Sequence, residues 1–164
     1  KTETSNLSYY KNLPRKRMAS GVLLFNGDGE LLVVKPKYKN HWSVPGGVID
    51  KNESPQKACL RETKEEIGLE LKRVKLLCVD YMSSRKSAYP TKDENIQFIF
   101  YGGILKQSEI RKIKIPSHEI AEYLFLKIRK ALPLLNQNLR RRLGPSLKAL
   151  KNKTAVYLEN GTVA

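Results

Sequence analysis

The sequence predicts an α/β protein in which a mixed β-sheet carries helices on both faces. Short apolar runs rich in β-branched residues recur along the chain, and segments of good helix formers separate them. The first two apolar runs are also joined by a tight turn, which indicates a hairpin. Strands interleaved with helices bury their apolar faces best as stacked layers.

The first half of the chain predicts a hairpin followed by a loop. Residues 18–25 (MASGVLLF) and 31–35 (LLVVK) are apolar enough to be strands. Residues 26–29 (NGDG) between them predict the turn, because Asn-Gly and Asp-Gly tolerate the positive φ angles that hairpin turns need. Residues 36–43 then form a polar connection to Pro45-Gly46-Gly47.

The next element is a helix with sequence signals at both ends. Ser54 is a preferred N-cap residue, and Pro55 suits the first helical position. Residues 56–67 are mostly good helix formers, and Gly68 stands where a C′ glycine ends a helix. We therefore expect a helix that begins at Pro55 and ends before Gly68.

The second half of the chain predicts further strands and a helical region. We expect longer strands at residues 74–81 and 96–105 around a polar loop at 83–95, a short strand at 123–127, helices at 132–143 and 146–151 separated by Gly144-Pro145, and an edge strand at 154–158. The whole of residues 1–164 is predicted to be one domain with a core at about 17–152, a polar N-terminal arm and a loose C-terminal tail.

Composition limits the class of protein. No apolar run is long enough to span a bilayer, and residues 1–18 are polar and basic, so we expect a cytoplasmic protein without membrane contact. The two cysteines, Cys59 and Cys78, are expected to be small core residues in a reducing compartment.

The predicted helix carries three glutamates on one face, which indicates a metal site. Glu62, Glu65 and Glu66 stand at i, i+3 and i+4, where like charges repel, and they lie near the helix C-terminus, where anions are disfavoured. A hard cation such as Mg²⁺ or Mn²⁺ would remove both penalties. Zinc is not expected, because the chain has no Cys-x-x-Cys and only two histidines, His41 and His118. The alternative is an ordinary solvated acidic face.

Residues 47–69 (GVIDKNESPQKACLRETKEEIGL) resemble the Nudix box, G-x5-E-x7-R-E-U-x-E-E-x-G-U, in which U is a bulky aliphatic residue. Thr63 stands where an aliphatic residue is usual, and it is close to valine in shape. The preceding residues 42–47 (WSVPGG) also look like the family's lead-in, and the resemblance covers residues 17 to about 130. The matching positions are Gly47, Glu53, Arg61, Glu62, Glu65, Glu66, Gly68 and Leu69.

The resemblance implies an α/β/α sandwich and a Nudix hydrolase, which cleaves a phosphoanhydride bond in a nucleoside diphosphate derivative by attack of water. It implies magnesium or manganese ions bound by Glu62, Glu65 and Glu66, with the carbonyl of Gly47 nearby. One of these carboxylates is an alternative base for the attacking water. The resemblance also allows a homodimer.

Two further roles follow from the resemblance. Arg61 is expected to hold a carboxylate in place, either Glu53 or one of the metal ligands. Some family members take an additional base or ligand from a loop outside the box. Glu119 is our preferred candidate for that role, with Glu122 and Glu94 as alternatives and a plain surface acid as the competing interpretation.

Substrate-binding residues are expected in two basic segments. The loop at 83–95 is long for a compact domain, and such loops are often binding loops, although a solvated excursion is an equal alternative. The segment before the box is similarly basic, and its tryptophan is expected to shape a pocket wall rather than to stack on substrate. The candidates are Arg85, Lys86, Tyr89 and Lys92 in the loop, and Lys35, Lys37, Lys39, His41 and Trp42 before the box.

The charge of the chain widens the range of substrates. Lys and Arg number 31 against 16 Asp and Glu, which gives a formal net charge of +15 that attracts polyanions. A small nucleotide is the favoured substrate, because no RNA-binding motif is visible, and RNA with a phosphorylated 5′ end is the alternative. A non-catalytic binding protein is a third hypothesis, which the complete set of box glutamates disfavours.

Overall fold

The computed structural model describes residues 3–86, 93–116 and 118–164, and these form one mixed eight-stranded sheet with helices on both faces. The strands are β1 (Arg17–Phe25), β2 (Leu31–Pro36), β3 (Gly46–Val48), β4 (Lys75–Met82), β5 (Asn95–Ile104), β6 (Ile120–Leu126), β7 (Val156–Glu159) and β8 (Thr162–Val163). The helices are α1 (Glu3–Lys11), α2 (Pro55–Ile67), α3 (Gln107–Ile110), α4 (Ile128–Ala131) and α5 (Gln137–Lys151), with a 3₁₀ turn at Leu132–Leu134.

Strand β1 is a central strand that pairs with three others. The strand order is β6-β2-β1-β5-β4-β7-β8, and β3 pairs with β1 outside this path. Strand β1 pairs in parallel with β5 along its length and antiparallel with β2, where Phe25 lies opposite Leu31. The short strand β3 also pairs with β1, so that Gly47 lies opposite Ser20. The sheet is mixed, as predicted, and it is open. The pairing of β3 with β1 fixes the start of the box on the central strand.

Alternating side chains of β1 point to two separate cores. Val22 and Leu24 pack with Ile67 of α2 on one face, whereas Leu23 packs with Leu143 of α5 on the other. This division follows from the two-residue period of a strand. Helices therefore cover both faces, which confirms the predicted layered architecture.

The predicted hairpin and the strands around it are confirmed within a few residues. Cys59 and Cys78 are buried and unpaired, as expected of core residues. Within the part of the chain that the structure describes, no helix is both long and apolar enough to cross a membrane.

The prediction that Gly144-Pro145 separates two helices is wrong. Helix α5 runs through both residues without interruption and begins later than expected, at the N-cap Asn136, whose side chain accepts a hydrogen bond from the amide of Leu139. Pro145 removes one helical donor, a penalty that tertiary packing can offset. The offset comes from buried residues on both sides of the proline, at helical spacing along the face toward the sheet: Leu139, Leu143, Ser146 and Ala149.

Both ends of the chain are more regular than predicted. The N-terminal arm contains α1, and the C-terminal tail forms β8, which folds back on β7. Strand β7 is therefore an inner strand rather than the edge.

A buried ion pair joins the C-terminal hairpin to the sheet. Asp80 of β4 is fully buried, and its Oδ2 accepts a hydrogen bond of 2.6 Å from Nε of the buried Arg142 in α5. Its Oδ1 accepts another of 3.0 Å from the amide of Gly161, in the turn between β7 and β8. One carboxylate thus ties β4, α5 and the last hairpin together.

Candidate active site

Two glycines bring the central strand and helix α2 into close approach. A Cβ atom on Gly46 would lie 2.1 Å from the carbonyl oxygen of Ser20, and one on Gly47 would lie 2.4 Å from the carboxylate of Glu62. The first distance excludes a side chain at position 46, and a side chain at position 47 would displace the Glu62 carboxylate. The backbone of Gly47 therefore lies directly against the Glu62 carboxylate.

The caps of α2 are those predicted. The Ser54 side chain accepts a hydrogen bond from the amide of Lys57, and Gly68 ends the helix in the left-handed conformation at φ 72°. Thr63, the departure from the box, is fully buried, and its Oγ1 donates a 2.7 Å hydrogen bond to the carbonyl of Cys59. The hydroxyl is thus satisfied within the helix and does not disturb the acidic face.

Arg61 bonds to three carboxylates at once. Its Nε and one terminal nitrogen donate to the two oxygens of Glu53, each at 2.9 Å, and its other terminal nitrogen donates to Glu62 at 2.8 Å and to Glu65 at 2.9 Å. The bond from Arg61 lowers the pKa of Glu53 to about 2. A guanidinium fork suits this task, because its five donors have a fixed geometry.

Two of the box glutamates are held in an environment that opposes their charge. Glu66 is only 5% exposed, its Oε2 accepts a 2.8 Å hydrogen bond from the amide of Gly46, and burial raises its pKa to about 7. Burial also raises the pKa of Glu62. The negative charge of Glu119 also raises the pKa of both Glu62 and Glu66.

The box glutamates are suitable ligands for a hard cation, but their side chains do not converge on one point. Among the residues that the structure describes, no three His, Cys, Asp or Glu side chains converge as a finished ligand set. The reason is that Glu62 and Glu65 bond to Arg61 while Glu66 bonds to the Gly46 amide. These donors are all oxygens, as magnesium or manganese prefers, and a bound cation would favour the ionised carboxylates that burial disfavours.

The three candidates outside the box lie in different surroundings. Glu119 directly precedes β6 and is close enough for its charge to act on the box glutamates. Glu122 lies on β6 opposite Lys35 of β2. Glu94 bonds instead to Lys16, at 2.5 Å, and to the hydroxyl of Tyr81.

Two residues of the basic segment before the box, Lys35 and Trp42, make contacts within the protein. Lys35 donates from Nζ to the carbonyl of Lys39 at 2.9 Å. Trp42 is half-buried and packs against the α5-side core, and its amide donates to the carbonyl of Leu134. The described contacts of Trp42 are therefore with the protein core, and its role in shaping a pocket stays a prediction.

The loop after β4 is described only in part. Arg85 and Lys86 are exposed, and the carbonyl of Lys86 accepts a long hydrogen bond of 3.5 Å from the Asn138 side chain. Tyr89 and Lys92 lie outside the described residues. The structure does not join Arg85 or Lys86 to the box glutamates by any described contact.

Two contributions to the site were not predicted. The Gly46 amide is the hydrogen-bond donor to Glu66, and the positive charge of Lys39 acts on the same carboxylate. The glycine could have been found from the lead-in, because a Gly-Gly pair before the box indicates close backbone approach. The position of Lys39 depends on the path of the loop, for which the sequence gives no signal.

Comparison with known proteins agrees with the box. The family model described as NUDIX domain matches residues 15–147. The RNA pyrophosphohydrolase of Hydrogenovibrio crunogenus is 33% identical over 112 residues, covering 63% of this chain and 67% of that protein. The RNA pyrophosphohydrolase of Vibrio cholerae is 38% identical over 61 residues, 37% of this chain, which here spans only 36% of its relative.

Solved structures share the fold at low identity. The NUDIX domain of Shewanella oneidensis NrtR, complexed with ADP ribose, superposes with a TM-score of 0.71 at 19% identity, covering 92% of this chain and 99% of that one. A UDP-X diphosphatase gives a TM-score of 0.71 at 19% identity, covering 96% and 76%. At such identity these structures establish the architecture alone. The family match over residues 15–147, most of its length, shows that this chain belongs to the Nudix family.

Proposed function

We propose that the protein is a metal-dependent pyrophosphohydrolase that cleaves a phosphoanhydride bond at the 5′ end of RNA. The observation that carries this proposal is the complete acidic set of the box, with Glu62 against the Gly47 backbone and Glu66 buried beside it. Burial raises the pKa of Glu62 and of Glu66, and carboxylates perturbed in this way cluster at functional sites.

In the proposed mechanism Glu62, Glu65 and Glu66 hold Mg²⁺ or Mn²⁺, with the carbonyl of Gly47 as a further oxygen donor. When bound, the ion would neutralise charge on the phosphate oxygens and make water a better nucleophile. Arg61 orients two of the ligands through the bonds described above, and Glu53 fixes Arg61 through both carboxylate oxygens.

The remaining task is to remove a proton from the attacking water. Glu119 is the proposed base: it is partly exposed, and its charge acts on the box glutamates. As water forms its bond to phosphorus, Glu119 would accept the proton of the water. The anhydride P–O bond would break, and its electron pair would leave with the oxygen of the departing phosphate. A box glutamate is the alternative base.

RNA is proposed as the substrate on two grounds. The relatives named above are RNA pyrophosphohydrolases. The net charge of +15 also favours a polyanion, because each neutralised phosphate of a nucleic acid releases counterions. A small nucleotide or nucleoside diphosphate derivative is the second candidate, since the box acts only on the pyrophosphate that all these compounds share. A cytoplasmic location and a homodimer accompany this function as proposals.

The test is release of phosphate or pyrophosphate from a panel containing 5′-triphosphorylated RNA, deoxynucleoside triphosphates, sugar nucleotides and dinucleotides. Each substrate is tested with magnesium, manganese and chelator. Glu65→Gln is the inactive variant, and Glu70→Gln is its matched control, because Glu70 is exposed and pairs only with the neighbouring Lys64 in the described ion pairs. Turnover of small nucleotides alone would replace RNA with the second candidate. Tight RNA binding without turnover would favour a non-catalytic protein.

A further inference from the structure

An exposed aromatic ring lies between two lysines in the turn that follows β2. We call residues 37–40 (KYKN) the Tyr38 turn. Tyr38 is 69% exposed, and the Nζ of Lys39 lies 5.1 Å from the centre of its ring. Lys37 and Lys39 are exposed as well. The turn thus exposes an aromatic ring and two lysines, one of which contacts the ring.

The Tyr38 turn is held in place by hydrogen bonds. The amide of Lys37 donates to the carbonyl of Glu119 at 2.9 Å, and the amide of Lys39 donates to the carbonyl of Pro36 at 3.3 Å. The Lys35 side chain donates to the carbonyl of Lys39 at 2.9 Å. A ring carried on a turn fixed in this way loses less conformational entropy on binding a ligand than one on a loose segment.

The Tyr38 turn also lies at the rim of the acidic site. It bonds directly to the backbone of Glu119, whose charge acts on Glu62 and Glu66. A phosphate chain placed at the glutamates would therefore have the Tyr38 turn beside it.

Stacking on an aromatic side chain together with lysine contacts to phosphates is the common way in which proteins bind single-stranded nucleic acid. A single exposed tyrosine needs no special explanation, but this one has lysines on both sides and adjoins the proposed reaction site. We propose that the Tyr38 turn is an RNA-binding subsite, in which Tyr38 stacks on a base beyond the first nucleotide while Lys37 and Lys39 contact the strand's phosphates. This inference rests on the proposed function and names how the RNA strand is held.

The test compares wild type with Tyr38→Ala and Tyr38→Phe on a 5′-triphosphorylated RNA octamer and on a nucleoside triphosphate. Tyr157→Ala is the matched control, because Tyr157 is 50% exposed on β7, four places from β2 in the sheet. Binding of a fluorescent octamer is measured separately by anisotropy in a Glu65→Gln background, where turnover is blocked. This second measurement does not depend on catalysis.

We expect Tyr38→Ala to raise KM and Kd for the octamer by about 5- to 100-fold, the range for loss of one stacked base. The value of kcat at saturation, and turnover of the nucleoside triphosphate, should stay at wild-type levels. Tyr38→Phe should resemble wild type, because the ring is kept. Unchanged octamer binding in Tyr38→Ala, or an equal loss with the nucleoside triphosphate, would overturn the inference. Absence of RNA turnover by wild type would refute the proposed function instead, while the anisotropy still tests the subsite.

Discussion

Replacing Glu66 by glutamine should stabilise the metal-free protein. Glu66 is 5% exposed, and burial raises its pKa from 4.5 to about 7. One pKa unit corresponds to about 1.4 kcal/mol, so the ionised carboxylate destabilises the fold by up to about 3 kcal/mol. Glutamine keeps an oxygen that can accept the bond from the Gly46 amide and carries no charge.

The sign of the pH dependence follows from the raised pKa. Between pH 4.5 and 7 the folded state holds the Glu66 proton more tightly than the unfolded state does, so wild type loses stability as the pH rises. Glu66→Gln lacks this loss. The difference in unfolding free energy between variant and wild type should therefore be small near pH 4.5, grow through pH 7 and level off above it.

The assay is thermal and urea unfolding in chelator at pH 5 and pH 8.5. For a chain of this size each kcal/mol shifts Tm by about 2 to 4 °C. Glu70→Gln, at an exposed position, is the control and should show no such widening gap. On addition of magnesium or manganese wild type should gain Tm, whereas Glu66→Gln should gain far less. A difference in stability between Glu66→Gln and wild type that is equal at both pH values would refute the reasoning. So would a wild type that is the more stable protein at pH 8.5.

Three further substitutions test other parts of the account. Arg61→Lys keeps a charge but cannot reproduce the two-donor fork to Glu53, so kcat should fall by about 10- to 100-fold in the phosphate-release assay, and wild-type turnover would count against its positioning role. Asp80→Asn leaves Arg142 buried without its counter-charge and should lower the unfolding free energy by about 3 to 5 kcal/mol in urea titrations; a change below about 1 kcal/mol would contradict the buried pair. Thr63→Val exchanges one intrahelical hydrogen bond for a methyl group, so stability should change by less than about 1 kcal/mol with kcat unaltered, and a large loss of either would show that the hydroxyl has a further role.

The sequence predicted best what neighbouring residues determine. Ser54 and Gly68 cap α2 through contacts within a few residues, and the turn after β1 follows from its Asn-Gly and Asp-Gly pairs. The three box glutamates fall on one helix face because of helical periodicity alone. For these features a short stretch of sequence contains all the interactions involved.

Features that depend on distant contacts were not predictable in the same way. Pro145 stays within α5 because the sheet holds residues on both sides of it, and Asp80 pairs with a residue 62 positions away. The placement of Lys39 near Glu66 depends on how the Tyr38 turn bonds to Glu119. No local pattern encodes these pairings, since each forms only after strands distant in sequence have come together.

The central claim is most directly tested by pyrophosphate or phosphate release from 5′-triphosphorylated RNA by wild type and by Glu65→Gln. We expect turnover by wild type that requires magnesium or manganese, disappears in chelator and is lost in Glu65→Gln but kept in Glu70→Gln. Turnover that persists in chelator, or an active Glu65→Gln variant, would contradict the assignment of the box glutamates as metal ligands.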